Sequence, residues 1–150
     1  MFNKELKIVS RIARLNTTAS NIYRMLSDFS FMNNIAQLED KVKIIFCDRD
    51  SCRIAVANGG EFGLRIIERQ ENSLIKITSD PDGRFDCKMW FQLKEVTAYD
   101  TRLRLTLHIN LNPIMRLAAQ KPLTNLVESI VTQLENKFLF TDYTYTTYEA

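Results

Sequence analysis

The sequence predicts a single α+β domain in which a curved antiparallel sheet of six to seven strands wraps a long, kinked C-terminal helix, with two short helices after the first strand. Three observations carry this. From Lys41 to Leu111 apolar and polar side chains alternate with a period of two, broken at short intervals by turn residues. On both sides of that stretch apolar residues recur at helical spacing instead. The 150 residues, with only 4 Gly and 3 Pro, suit one core with short connections.

Lys4–Leu15 reads as a first strand with two competing faces, Leu6, Ile8 and Ile12 against Val9, Ala13 and Leu15. Thr17 or Thr18 offers an N-cap hydroxyl for a helix whose apolar stripe is Ile22, Met25, Leu26 and Phe29. Asp28 can cap a second short helix carrying Phe31, Met32 and Ile35. Strands follow at Val42–Phe46 and Ile54–Val56, then Asn58-Gly59-Gly60 as a hairpin signal, then Phe62–Ile66 and Ile75–Ile77. Asp80-Pro81-Asp82-Gly83 has the pattern of a type I turn. Two long strands come next, with Phe85, Cys87, Met89, Phe91 and Leu93 alternating on one and Leu103, Leu105, Leu107, Ile109 and Leu111 on the other. Asn112-Pro113 opens a helix expected to reach about Phe138, kinked at Pro122 because proline lacks the N–H for the ladder. The domain is placed at 1–138. The Tyr- and Thr-rich tail, 139–150, fits no element and is expected to pack on the sheet or pair with a second copy, making a homodimer.

Composition narrows the partners. A net charge of +2 with interspersed acids and bases gives no reason to expect nucleic acid. No apolar run exceeds four residues, so stable membrane insertion is not expected, and the first residues lack a signal-peptide pattern. Three cysteines (Cys47, Cys52, Cys87) without Cys-x-x-Cys spacing and one histidine argue against zinc and suit reduced thiols in a cytoplasm.

The order of elements resembles the START-like, polyketide-cyclase-like (SRPBCC) superfamily, the helix-grip fold. The residues that carry the resemblance are Thr18–Tyr23 before Leu26-Ser27-Asp28-Phe29, the meander, and Asn112-Pro113 at the start of the last helix. Lys121-Pro122-Leu123 is similar to small bacterial members. The resemblance spans roughly residues 4–137. It implies a cavity between sheet and helix for a lipid, polyketide, quinone or other apolar ligand, and it transfers no catalytic residue.

The candidate ligand-binding residues are therefore Phe62, Leu64, Ile66, Ile75, Ile77, Phe85, Met89, Phe91, Leu105, Leu107 and Ile109 on the sheet, with Met115, Leu117 and Ala118 on the helix. The same set would serve equally as plain packed core. Met32, Met89 and Met115 favour a pocket, because methionine adapts to irregular shapes. His108 falls on the polar parity of its strand and reads as a surface residue, not a base. Asp80 and Asp82 belong to their turn, and Cys87 reads as an inert filler. No metal or other cofactor is expected. Apolar-ligand binding or transport leads. The alternatives are an interaction module of chaperone- or ribosome-associated type acting through Trp90 and the basic outer face, and a cyclase- or hydrolase-type enzyme using Glu68.

Overall fold

The computed structural model describes residues 5–34, 42–57, 60–81, 83 and 85–149, with side chains as far as Phe138. Expectations resting on Ile35, Lys41, Asn58, Gly59, Asp82 and the tail side chains lie outside the described residues. The chain runs β1 (Glu5–Val9), β2 (Ala13–Leu15), α1 (Ala19–Leu26), a 3-10 segment (Phe29–Asn34), β3 (Val42–Cys47), β4 (Ser51–Val56), β5 (Gly60–Gln70), β6 (Leu74–Ser79), β7 (Asp86–Thr97), β8 (Asp100–Asn110) and α2 (Pro113–Glu149). The strands form one antiparallel sheet in the order β1-β8-β7-β6-β5-β4-β3, with β2 also paired to β8.

The expected first strand is in fact two, and the break settles its competing faces. Val9 pairs with Thr106 and Ala13 with Leu103, so three residues (Ser10, Arg11, Ile12) face two on β8. A bulge of one extra residue inverts the parity. Leu6 and Ile8 point inward before it, Ala13 and Leu15 after it, and Val9 and Ile12 are exposed. Ser10 keeps the ladder satisfied there: its N–H donates to the Leu105 carbonyl at 2.9 Å, and its Oγ accepts from the Leu105 N–H at 3.0 Å.

The meander follows its alternation. Leu103, Leu105, Leu107 and Ile109 of β8 are buried, whereas Arg104 is exposed and Arg102 and His108 are half-buried. The Thr18 hydroxyl caps α1 by accepting from the Asn21 N–H, and Asp28 accepts from the Ser30 N–H and hydroxyl to start the 3-10 turn. Gly60 opens β5 at φ 78°, a region costly for any residue with a Cβ. Gly83 N–H donates to the Asp80 carbonyl at 3.1 Å, closing the expected turn.

Two expectations are corrected. Cys47 and Cys52 are joined in a disulfide, not reduced, because they are directly opposed on β3 and β4 with both side chains on the buried face. Sequence spacing alone does not reveal that cross-strand pairing. The last helix does not stop near Phe138 but continues to Glu149. A nucleated helix adds residues cheaply, so the strand propensity of Tyr and Thr is overridden.

Candidate functional site

α2 crosses the open face of the sheet, and its two halves sit differently. Val127, Ile130, Val131 and Leu134 are buried against the core. Arg11, projecting from the bulge, fixes this half: its guanidinium donates to Glu135 Oε1 and Oε2 at 2.9 and 3.2 Å and to the Thr132 hydroxyl at 3.1 Å. Two backbone N–H groups on this edge of the sheet also donate to helix carboxylates, Arg11 to Glu128 and Arg14 to Glu135. Nothing in the hydrophobic pattern points to this clamp. Its signal is a lone Arg in the strand's break and two Glu spaced by seven residues.

The N-terminal half, from Pro113 to Pro122, stands off the sheet. Between it and the start of β3, the end of β4 and the starts of β5 and β7 lies a cleft of about 330 Å³, lined by residues including Val42, Val56, Phe62, Phe85, Ile109, Leu111, Met115, Ala118, Ala119 and Leu123. Val42, Val56, Phe62, Ile109 and Leu123 also line an inner cavity, with about 50 Å³ of free space, that reaches Phe29 and Met32 of the 3-10 segment. Cleft and cavity therefore adjoin across these side chains, and on the cleft side Phe62 meets Phe85 edge-to-face at 5.1 Å. The inner end is closed by polar fastening of the 3-10 segment to the β3–β4 hairpin. Phe29 N–H donates to Arg49 O, the Asn33 side chain bonds both backbone groups of Cys47, and Arg69 ties Ser27 O to the Asp50 carboxylate.

Of the fourteen residues expected to bind ligand, Phe62, Leu64, Met89, Phe91, Leu107 and Ile109 line the cavity, and Phe85, Met115 and Ala118 are added by the cleft. Ile66, Ile75, Ile77 and Leu105 are buried but belong to neither lining. Leu117 is corrected outright. It is 81% exposed on the far side of α2, because the helical stripe read from the sequence mixed the faces of the two halves. Sequence reasoning left out Val42, Ile44, Ile54 and Val56, although their alternation on β3 and β4 was plain.

The chemistry of the wall is apolar. Cys87 is the one titratable lining group among the described residues, and burial pushes its thiol up to about 12, partly opposed by the Ser79 hydroxyl. It therefore stays protonated and a poor nucleophile. Glu68, the candidate acid, is exposed and stands opposite Lys76 in the strand register, because a bulge between Ile66 and Glu68 turns it to the outer face. His108 is also on the outer face, but half-buried, not solvated: its ring lies 4.8 Å from Trp90 and its Nδ1 3.5 Å from Glu5 Oε1. Lys76 covers Trp90 at 5.7 Å. The basic row on that face is interleaved with acids, Arg53 with Glu61 and Arg65 with Asp80, as expected of a solvated sheet face. Gly63 lies beneath this group, where a Cβ would run into the Asp80 carboxylate.

Among the described residues no group of acids, histidines and cysteines could hold a metal, and no helix is long and apolar enough to cross a membrane. The combination of open antiparallel sheet, two short helices and a gripped C-terminal helix is the START-like, SRPBCC-type helix-grip fold. No family model and no curated protein matches the chain. Solved structures match along most of it. A START superfamily protein from Mycobacterium smegmatis aligns with TM-score 0.59 and 16% identity, covering 88% of this chain and 97% of that one. Norcoclaurine synthase from Thalictrum flavum aligns at 0.62 and 11%, covering 92% and 96%. The ZhuI aromatase/cyclase from Streptomyces aligns at 0.58 and 12%, covering 89% and 95%.

Proposed function

We propose that this protein binds an apolar small molecule of lipid, polyketide or quinone type between sheet and α2, and holds or carries it without transforming it. Residues 1–138 are the binding domain, and 139–150 a tail outside it. The observation that supports this is the cleft of about 330 Å³ that adjoins an inner apolar cavity across shared lining residues, at the lower end of the range for small-molecule sites. The buried, protonated Cys87 favours binding over thiol chemistry. A structure of the norcoclaurine synthase neighbour holds dopamine and hydroxybenzaldehyde, which fits a fold able to enclose small ring compounds.

The test is titration with Nile red and with a fluorescent fatty acid. Wild-type protein should bind both. Ala118→Trp, which fills the cleft from an exposed helix position, should weaken binding about tenfold while circular dichroism is unchanged. Equal affinity in wild type and variant, or no binding by either, would remove this reading.

A further inference from the structure

We propose that the N-terminal half of α2 docks the protein on an anionic membrane surface, with Ile114 and Leu117 entering the acyl boundary beside the mouth of the cleft. These two side chains are 82% and 81% exposed, the highest values among the large hydrophobic side chains of the described residues. Spaced by three, they share one side of the helix, and Lys121, four residues after Leu117, joins that side. Met115 and Ala118 turn the other way and line the cleft. One helical segment thus presents one face to the binding site and a second apolar face to the outside.

Charge selects the occupant. No Asp or Glu occurs from Thr101 to Val127, so the charges this half-helix offers are those of Arg116 and Lys121. Arg116 is half-buried and engaged with β1, donating to the Glu5 carbonyl at 3.0 Å, so Lys121 is the exposed cation of the segment. An exposed aliphatic pair on a helix segment that carries cations and no acid of its own is complementary to a bilayer with anionic headgroups, where apolar side chains enter the acyl boundary and the exposed Lys121 meets phosphate. Such docking is shallow and reversible. It places the cleft mouth against the lipid, whatever the cleft carries, and spares an apolar guest a passage through water.

The experiment is co-sedimentation with phosphatidylcholine vesicles prepared with and without phosphatidylserine. Wild-type protein should sediment with the anionic vesicles and be released by salt. Ile114→Asp with Leu117→Asp should lower partitioning about tenfold, and Lys121→Glu alone several-fold. All three positions are exposed, so the variants should keep wild-type circular dichroism. Three results would overturn the proposal: no sedimentation of wild type, unchanged partitioning of the double variant, or light scattering showing that the substitutions dissolve a dimer, which would assign the face to a second copy of the chain.

Discussion

Glu135 receives both terminal nitrogens of Arg11 and the Arg14 N–H, and these hydrogen bonds, the Arg11 side chain first, hold its carboxyl below the ordinary glutamate range. Because the folded-state value lies below the unfolded one, the clamp's contribution is complete above about pH 4.3 and fades as pH falls through the folded value. Glu135→Gln should therefore cost about 1 kcal/mol at pH 7 and flatten the loss of stability between neutral and acid pH, measured by urea unfolding at each pH. A slope equal to wild type would show that the clamp is not what acid releases. The Cys47–Cys52 bridge closes a short loop, with the two cysteines five residues apart. In the chain-entropy view such a loop is worth roughly 2 kcal/mol, so Cys47→Ser with Cys52→Ser should lower the unfolding free energy by that amount, read as a lower denaturant midpoint at nearly unchanged slope. Neither feature could be read from the sequence. Arg11 sits in a break that periodicity cannot score, and the cysteines are matched only once the hairpin register is known.

The strands with two wet ends and one dry face were the most legible elements. β8 keeps Leu103 through Ile109 inward without a fault, and register follows from that alternation. Legibility failed at the bulges after Val9 and Ile66, where one extra residue exchanges inside for outside. It failed again along α2, where one stripe was drawn through two halves. The half before Pro122 is largely exposed, and the half after it is buried and clamped. Pro122 cannot donate to the Ala118 carbonyl, which further loosens the junction. Amides of residues 114–121 should exchange with deuterium at least about tenfold faster than those of 126–134, a difference that mass spectrometry of the peptic peptides reads directly. Uniform protection along the helix would contradict a half-seated α2. Pro122→Ala should narrow the difference by restoring the missing bond.

At the scale of the molecule, the sheet and the clamped half of α2 form a rigid shell, and the lightly held half forms the adjustable wall of the cleft. Although the alternation by itself suited a packed core equally well, a container under the last helix was implied by the resemblance to the helix-grip superfamily. Its position was not, since the lining is drawn from β3, β4 and the middle of α2 as much as from the long strands. Ligand binding should therefore protect residues 114–121 from exchange more than any sheet strand. The bulge at Ser10–Ile12 has a different consequence, which concerns the length of the chain. Removing Ile12, which is 61% exposed, would let Ala13 follow Arg11 and restore an unbroken pairing from Val9 opposite Thr106 to Ala13 opposite Leu103. Every inward side chain would remain inward. The sheet would be served as well by a chain one residue shorter, so what the extra residue supplies is the placement of Arg11, side chain and N–H, against the helix.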